Sequence, residues 1–382
     1  MIVLTLGKGV LRGIYALHKL APVKRDRITF LSRQANEPSV DILLLQSALK
    51  EAHPELDIRV LCKTLDPGLA AKAGYLCHLI GPQMHALATS KLVVLDGYCI
   101  AVSILKHKPS LTVVQMWHAM GSLKKFGKSI LDQKEGSSRD LAETMHMHEG
   151  YDYILASSKE SAKFFADAFG YDESAFAIYP LPRTDLLKDK ECQAAKRAEI
   201  ETFFPELAGK KILLYAPTMR KTEEDISKTL ELAEEVAERE NYRLVIAPHP
   251  GKREPYEKVQ DALEDLGAIL LPPGASFDWL LACDVFISDY SAMIYEAAVA
   301  GKPIALYAYD LDDYEGNRGF YMDYQGEMPV EPHRVAKDVL KLIDSGQWNM
   351  EAIKAFADRY IENKAAYTRP LVDWLMGLQW TY

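Results

Sequence analysis

Short runs of aliphatic and β-branched residues alternate with longer amphipathic stretches through most of this chain. Such alternation is typical of a parallel β-sheet covered by helices, so it restricts the fold to the α/β class. Because 382 residues exceed the size of one ordinary core, we predict two Rossmann-like lobes. The predicted strands form two series, which are Ile28–Ser32, Ile58–Cys62, Leu92–Leu95, Thr112–Trp117, Tyr153–Ala156 and Ala177–Tyr179, then Ile212–Tyr215, Arg243–Ala247, Ile269–Leu271, Val285–Ile287 and Ile304–Tyr307.

Four segments are expected along the chain. Residues 1–27 form an amphipathic segment, residues 28–186 the N-terminal Rossmann-like lobe, and residues 187–349 the C-terminal one. Residues 350–382 carry apolar side chains at helical spacing, and we expect these helices to cross back to the N-terminal lobe.

Charge and cysteine usage exclude several classes of protein. A net charge of −9 argues against a nucleic-acid binder, which needs a basic surface for phosphates. The five cysteines show no C-x-x-C spacing, which favours reduced thiols in the cytosol and gives no support for a zinc site. No apolar run is long enough to span a bilayer, and no cleavable leader is recognisable.

The N-terminal segment is basic within an acidic protein. Residues 1–27 contain six basic side chains and one acidic one. Apolar residues recur at helical spacing from Val3 to Ala21, and Lys8, Arg12 and Lys19 fall on the other face. This pattern predicts a helix at a membrane surface, with its apolar face in the headgroup region and its basic residues on anionic lipid. The alternative is a helix that packs on its own domain.

The segment Trp117–Gly127 follows a predicted strand and has the composition of an anion site. At the carboxyl end of a parallel strand, polar residues have a raised chance of contacting ligand. Gly121 would let backbone N–H groups approach an anion, Lys124 adds positive charge, and His118 is a candidate general base. A structural role for His118 is the alternative.

A second candidate site follows the strand at Val285–Ile287. Ser288, Asp289, Ser291 and Ala292 precede a predicted helix, whose first amides and capping hydroxyls would seat a phosphate. Glu296, one turn into that helix, is placed to bind ribose hydroxyls. An ordinary helix cap is the alternative.

Further polar residues follow other strands. Arg220 suits bidentate phosphate contact. The remaining candidates for substrate binding or catalysis are Arg183, Asp185, Thr218, His249, Asp310 and Arg318. We assign no metal, since the His146–Glu149 and Asp310–Asp312 clusters are explained as solvated surface.

Taken together, these segments resemble the CDP-glycerol glycerophosphotransferases of teichoic acid synthesis, and the primases among them most closely. The resemblance spans about Ile28 to Tyr324 and includes W-H-A-M-G-S-L-K-K-F-G at 117–127. Further matching segments are Tyr151–Tyr153, Pro182–Asp185, Leu214–Thr218, Pro248–Pro250, Ser288–Ser291, Lys302–Asp310, Tyr314 and Arg318–Gly319. The chain departs from the family pattern at Ala292, where a serine is frequent, and at Glu296, where aspartate is frequent.

The resemblance implies a function and an architecture. The chain would transfer glycerol phosphate from CDP-glycerol to an undecaprenyl-diphosphate-linked N-acetylmannosaminyl-N-acetylglucosamine and release CMP, without a cofactor, at the cytoplasmic face of the membrane of a Gram-positive-type bacterium. Its two lobes would face a cleft as in GT-B enzymes, the first lobe taking the acceptor and the second CDP-glycerol. His118 would act as the base, while His249, Arg220, Arg183 and the Ser288–Ala292 segment would hold the diphosphate. Other enzymes of wall-polymer synthesis are candidate partners.

Two other functions compete with this one. A GT-B glycosyltransferase of cell-envelope synthesis would use a nucleotide sugar and could employ His118 in the same way. A catalytically silent membrane scaffold would bind a nucleotide or wall precursor without turnover.

Overall fold

The computed structural model describes residues 2–220, 224–249, 251 and 253–378, with side chains described from Gly7 onward. The chain divides into two compact units. The first comprises Met1–Met120, Lys125–Arg183 and Glu362–Tyr382, and the second comprises Gly121–Lys124 and Thr184–Ile361. Each unit contains a six-stranded sheet. The predicted α/β class with two parallel sheets is confirmed.

The first unit is a parallel sheet of order β2-β1-β3-β4-β5-β6. Its strands are β1 (Arg27–Ser32), β2 (Asp57–Cys62), β3 (Leu92–Leu95), β4 (Thr112–Gln115), β5 (Tyr153–Ala156) and β6 (Phe176–Ile178). Its helices are α1 (Ile2–His18), α2 (Val40–Ala52), α3 (Leu69–His78), α4 (Met84–Thr89), α5 (Ile100–Ile104), α6 (Arg139–Thr144), α7 (Lys159–Phe169) and, late in the chain, α19 (Thr368–Gly377). Every residue of β1, β3 and β4 is buried, as expected for central strands covered on both faces.

The second unit is a parallel sheet of order β12-β11-β10-β7-β8-β9. Its strands are β7 (Lys211–Ala216), β8 (Tyr242–Ile246), β9 (Ile269–Leu270), β10 (Val285–Ser288), β11 (Ile304–Tyr307) and β12 (Pro332–His333). Its helices are α8 (Thr184–Lys188), α9 (Lys190–Phe203), α10 (Glu224–Ala237), α11 (Glu254–Glu257), α12 (Gln260–Asp265), α13 (Ser276–Ala282), α14 (Met293–Val299), α15 (Leu311–Arg318), α16 (Tyr324–Glu327), α17 (Ala336–Ser345) and α18 (Met350–Tyr360). Leu232 of α10 and Leu340 of α17 belong to the core cluster on one face of the sheet.

In both sheets the strand order reverses at one place. The reversal lies between β1 and β3 in the first unit and between β7 and β10 in the second. The loops after these strands diverge to opposite sides of the sheet, so a crevice forms beyond their carboxyl ends. The fold therefore marks two positions where ligand-contacting residues are expected.

All eleven predicted strands are present, with ends displaced by up to two residues. The sequence reading missed β12, whose two residues give no periodic signal. The unit boundary falls at Arg183, three residues before the expected one, and Gly121–Lys124 group with the second unit. The C-terminal helices require a correction, because α18 belongs to the second unit and the chain rejoins the first only from Glu362. Phe356 of α18 stacks on Tyr295 of α14, which explains its place there.

Helix α1 forms despite its three glycines and packs with the first unit by its polar side. Lys8, Arg12 and Lys19 donate side-chain hydrogen bonds to backbone carbonyls of Thr144, Ile104 and Lys106. These three side chains contact protein carbonyls in this structure, and their contact with lipid stays a prediction. The predicted apolar positions Val3 and Leu6 lie outside the residues whose side chains are described. Within the described ranges, no helix is both long and apolar enough to cross a bilayer.

Candidate active site

His118 lies after β4 in the first unit, beside the loop that follows β3. Its Nδ1 is 2.8 Å from the main-chain oxygen of Asp96. A carbonyl oxygen only accepts, so Nδ1 carries the hydrogen and Nε2 of the neutral ring is unprotonated. The Trp117 ring packs on the imidazole with centroids 4.2 Å apart. The structure therefore holds His118 in the tautomer that a general base requires.

Arg183 lies near His118 but is bound to another partner. Its guanidinium pairs with Asp41, which also accepts a hydrogen bond from the Arg183 amide at 2.8 Å. The Asp41 side chain is buried, and a buried carboxylate needs such a counter-charge. In this structure Arg183 is the partner of Asp41, and its role as a diphosphate ligand stays a prediction.

The second unit has a cavity of about 190 Å³ beyond the carboxyl ends of its central strands. It lies beside β7 and β10, where the strand order reverses. Its walls include four of the predicted site residues, Lys124, Thr218, His249 and Ser291. The other lining residues are Ala216, Pro217, Ala247, Pro248, Pro272, Pro273, Gly274, Ser276 and Met293.

Three polar groups of this cavity are suited to bind an anion. Lys124 is half-buried, and desolvation lowers its pKa to about 7, assisted by the charges of Arg318 and Arg220 and opposed by Asp289. The Nδ1 of His249 accepts a hydrogen bond from the Gly251 amide at 3.1 Å, so its Nε2 carries the hydrogen and is a donor. Packing around the ring, together with the Lys124 charge, lowers the pKa of His249. Thr218 Oγ1 is buried and, among the described residues, has no hydrogen-bond partner.

Arg220 is buried behind this cavity and does not line it. Its Nε and Nη2 bind the two oxygens of Asp310 at 2.7 and 2.9 Å, and Nη2 also lies 2.8 Å from Asp289. Its Nη1 donates to the Thr218 carbonyl at 2.8 Å. The rings of Tyr290, Tyr309 and Tyr314 surround the guanidinium at 4.9 to 5.3 Å. Arg220 and Asp310 thus form a buried ion-pair cluster that supports the cavity wall, and their contact with phosphate stays a prediction.

Ser288 and Asp289 also turn inward. Ser288 Oγ donates to the Ala216 carbonyl at 2.6 Å and links the ends of β10 and β7. Both oxygens of Asp289 accept from the Thr218 amide, at 3.0 and 3.1 Å. Both side chains are fully buried and fix the loop after β7, and the contact of this segment with phosphate stays a prediction.

The start of α14 differs from the prediction in its N-cap residue. Ala292 is its N-cap residue and provides no side-chain hydrogen bond, and the Ser291 hydroxyl accepts from the Met293 amide at 3.3 Å. Glu296 is buried and does not line the cavity, so the expected ribose contact has no support in this geometry.

Three further predicted residues lie in the second unit. A Cβ placed on Gly121 would come within 2.8 Å of the Tyr295 ring, so close packing requires a glycine here, and approach of an anion to its backbone stays a prediction. Asp185 lies in α8 and is absent from the cavity wall. Arg318 ends α15, where its charge acts on Lys124.

The explanation of the two clusters as solvated surface is wrong in part, because His148 is buried and Asp310 pairs with Arg220. His146 bonds Glu149 at 2.9 Å, and His148 is buried with its Nδ1 3.3 Å from the Tyr151 hydroxyl. Burial lowers the pKa of His148 to about 3, so this ring is neutral. Among the residues that the structure describes, no group of three metal-ligating side chains occurs.

Sequence reasoning did not identify Asp96 or the cluster that three tyrosines form around Arg220, although the tyrosines lie in segments that match the family. Asp96 directly follows β3, so the rule that identified His118 could have found it. The tyrosines are contributed by three separate positions, and their meeting at Arg220 depends on the fold.

The fold and the site define an α/β group-transfer enzyme with an anionic donor. The family model described as CDP-Glycerol:Poly(glycerophosphate) glycerophosphotransferase matches residues 14–368. The chain belongs to this family of CDP-glycerol glycerophosphotransferases, and the predicted resemblance is confirmed.

Relatives of similar length are primases of teichoic acid synthesis. The chain is 31% identical over 367 residues to a teichoic acid ribitol-phosphate primase of Bacillus spizizenii, covering 94% of this chain and 92% of the relative. It is 29% identical to a teichoic acid glycerol-phosphate primase of Bacillus subtilis, covering 82% and 77%. It spans only 56% of a poly(ribitol-phosphate) polymerase of Bacillus spizizenii, at 26% identity.

Solved structures share the fold. The wall teichoic acid polymerase TagF matches with a TM-score of 0.76 at 21% identity, covering 98% of this chain and 96% of that one. A UDP-GlcNAc 2-epimerase of Neisseria meningitidis matches with a TM-score of 0.58 at 12% identity, covering 92% and 99%. At such identities the likeness concerns architecture and not activity.

Proposed function

We propose that the protein is a primase that transfers one glycerol phosphate from CDP-glycerol to a hydroxyl of a polyprenyl-diphosphate-linked disaccharide, N-acetylmannosaminyl-N-acetylglucosamine. The observation that carries the proposal is the cavity that unites Lys124, Thr218, His249 and Ser291 in a chain of this family. The primases among the relatives match this chain over most of their own length, which supports the primase role.

The second unit supplies groups for the donor. The Lys124 ammonium, the Nε2–H of His249 and the hydroxyl of Thr218 would bind the oxygens of a diphosphate. These donors stabilise the charge that accumulates on the bridging oxygen as the bond to CMP breaks. The Arg220 cluster behind the wall keeps Thr218 in place through its carbonyl.

The first unit supplies the base. The acceptor oxygen attacks the β-phosphorus, a new P–O bond forms, and the bond from that phosphorus to the CMP oxygen breaks. The hydroxyl proton passes to Nε2 of His118, which is unprotonated while Nδ1–H donates to Asp96. The GT-B-like arrangement of the two lobes remains a prediction.

The released nucleotide tests the reaction. The purified protein is incubated with CDP-glycerol and a soluble analogue of the lipid-linked disaccharide, and products are analysed by chromatography and mass spectrometry. We expect CMP and an acceptor heavier by one glycerol phosphate. Release of CDP, or of UDP from a UDP-sugar in a parallel reaction, would show a glycosyltransferase, and binding without turnover would show the scaffold.

Ribitol phosphate is a second candidate for the transferred group. The ribitol-phosphate primase is similar over almost the whole length of both chains. Competition between equal concentrations of CDP-glycerol and CDP-ribitol decides the donor, because the mass increments of the two products differ. We expect glycerol phosphate to predominate in the product.

We also propose that the protein attaches peripherally to the cytoplasmic side of the membrane through residues 1–27. Val10 and Leu17 of α1 and Leu20 just after it are 63%, 69% and 82% exposed. Lys8, Arg12 and Lys19 each donate a hydrogen bond to a carbonyl of the protein. A helix that docks by its polar face and presents its apolar face outward fits a membrane surface.

A further inference from the structure

Asp96 lies at the position in the first unit where the strand order reverses. It follows β3, next to β1 and β4, and 1% of its surface is exposed. Neither of its carboxylate oxygens has a hydrogen-bond partner of normal geometry among the described residues, and the donors that act on the carboxylate are the Ser32 hydroxyl and its own amide. A carboxylate that is buried with so few donors is costly to the fold, so its presence in a crevice calls for a functional explanation.

The main chain of Asp96 is fixed from several directions. The next carbonyl, of Gly97, accepts a hydrogen bond from Gln115 Nε2 at 3.0 Å, and Gln115 Oε1 accepts from the Trp117 amide at 2.9 Å. Gly97 also lies so close to Gln34 that a Cβ would be 2.7 Å from Nε2. The loops after β3 and β4 are therefore locked together, and the Asp96 carbonyl is held against His118.

The side chain of Asp96 is close enough to act on His118 by its charge. Its carboxylate is attached to the same residue whose carbonyl is 2.8 Å from Nδ1, so covalent geometry limits it to within about 8 Å of the ring. At that distance, an effective dielectric constant of about 20 gives an effect of about one to two pH units on the imidazole.

Other charged and titratable groups surround Asp96. Asp41 of α2 repels its charge, Arg183 attracts it, and the Ser32 hydroxyl lies at the end of β1. Cys62 of β2 interacts electrostatically with Asp96 and with Glu37. Burial, as the largest effect, raises the pKa of Asp96 to about 6, and Asp41 adds to this rise. The group therefore ionises near neutral pH.

We propose that Asp96 is the positioning residue of His118, whose carbonyl fixes the ring tautomer and whose buried carboxylate stabilises the imidazolium formed when the acceptor proton is taken. The proposal rests on the proposed role of His118 as a base. Asp96 makes no contact with substrate in this scheme. Its carboxylate strengthens the base in the ground state and holds the protonated ring in place during transfer.

NMR of the substrate-free enzyme tests the proposal independently of the reaction. Labelled imidazole rings of the ten histidines are titrated, and His118 is assigned by the signal lost in His118→Gln. We expect the Nδ1–H tautomer in the wild type at high pH. In Asp96→Asn, which keeps the carbonyl and removes the charge, we expect the pKa of His118 to fall by about one unit. The exposed Asp167→Asn in α7 is the matched control and should leave it unchanged.

The kinetic consequence is a change in pH profile with little change in donor binding. In Asp96→Asn the acidic limb of kcat/KM should move to lower pH by about one unit, with the plateau reduced about three-fold by the weaker base. An Nε2–H tautomer in the wild type, or an unchanged His118 pKa in the folded variant, would overturn the proposal. If Asp96→Asn does not fold, the tautomer of His118 in the wild type still shows whether the Asp96 carbonyl accepts a hydrogen bond from Nδ1. If the NMR result holds but CDP-glycerol is not consumed, the proposed function fails and the positioning role stands.

Discussion

Arg220 Nη2 lies 2.8 Å from Asp289 Oδ2, and both side chains are almost fully excluded from solvent. Asp289 accepts a hydrogen bond from the Thr218 amide, and Arg220 donates one to the Thr218 carbonyl, so both charged residues hold Thr218 in the cavity wall. The sequence places these residues on separate loops. Their pairing explains why an arginine suited to phosphate is directed into the protein.

Removing the guanidinium should destabilise the protein strongly. In Arg220→Met, Asp289 and Asp310 would remain buried without their counter-charge, and breaking such a pair costs about 3–5 kcal/mol. Urea unfolding of the full chain measures this loss. The control is Arg334→Met, since Arg334 pairs with an exposed Asp312 and should change stability by about 0.5 kcal/mol or less. Equal effects of the two substitutions would contradict the supporting role of Arg220.

His118→Gln should abolish most turnover and spare donor binding. Loss of a general base typically lowers the rate about 10²–10⁴-fold, whereas the donor groups lie in the other unit. CMP release gives the rate, and calorimetry with CDP-glycerol gives affinity. His53→Gln, a partly exposed histidine of the same unit, should behave as wild type. Retention of wild-type kcat in His118→Gln would remove this histidine from the chemistry.

Donor affinity should weaken as the pH rises through neutrality. The pKa of Lys124 is about 7, so its ammonium is charged below that pH and largely neutral above it. If the charge binds the diphosphate, Kd for CDP-glycerol rises between pH 6 and 8, and Lys124→Met weakens binding about ten-fold at pH 6 and much less at pH 8. Lys341→Met, on the exposed side of α17, is the control. A pH-independent ratio of the two Kd values would argue against this role.

Lys124 should also lower the free energy of unfolding of the protein at neutral and acidic pH. Its folded pKa lies below the ordinary value of 10.5, so between pH 7 and 10.5 the unfolded chain binds more protons. This contribution to stability therefore rises with pH across that window. Lys124→Met, which lacks the titration, should be more stable than wild type at pH 6 and lose its advantage towards pH 10. Unfolding free energies at several pH values measure the difference.

Gly121→Ala should disturb packing in the second unit. The added methyl group would meet the Tyr295 ring at 2.8 to 3.1 Å, and Tyr295 is fully buried and stacked on Phe356. We expect a loss of about 1–3 kcal/mol. Gly316→Ala, in α15 with nothing within 4 Å of the new Cβ, should be neutral or stabilising. Similar unfolding midpoints for wild type and Gly121→Ala would show that the ring can move aside.

Strand positions were predictable because alternation and long apolar runs report burial directly. The bounds of β3, β5 and β11 were predicted correctly, and these strands are short runs in which every residue except Tyr153 of β5 is buried. The two-residue β12 was not predictable, because its place depends on pairing with β11 alone. The division between the units depends on long-range contacts. The local sequence pattern of the C-terminal helices does not show with which unit each helix packs.

The site was predictable in position and only partly in role. The rule that residues after parallel strands contact ligands led to Thr218, His249 and Ser291, which line one cavity. It does not distinguish a side chain that turns towards the cavity from one that turns into the core. Asp310 turns inward because it pairs with Arg220. Ser288 turns inward because its hydroxyl donates a hydrogen bond to the Ala216 carbonyl. Such partners are brought together only by the fold.

Charged substitutions on the exposed face of α1 should release the protein from membranes without unfolding it. Val10→Glu, Leu17→Glu and Leu20→Glu are combined, since these side chains are exposed and their replacement opens no cavity. Truncation of the whole segment is a poorer test, because Tyr15 is buried and its hydroxyl lies 2.8 Å from His107 Nδ1. Binding is measured by co-sedimentation with vesicles that contain phosphatidylglycerol.

The control for this experiment is Phe203→Glu, because Phe203 is an equally exposed apolar residue of the second unit. We expect wild type and Phe203→Glu to sediment with vesicles and the triple variant to stay in the supernatant, with unchanged unfolding midpoint and unchanged activity on a soluble acceptor. Apolar insertion contributes in proportion to buried area, so three glutamates at the interface remove most of it. Undiminished sedimentation of the triple variant would show that attachment to the membrane, where it occurs, does not depend on the outward face of α1.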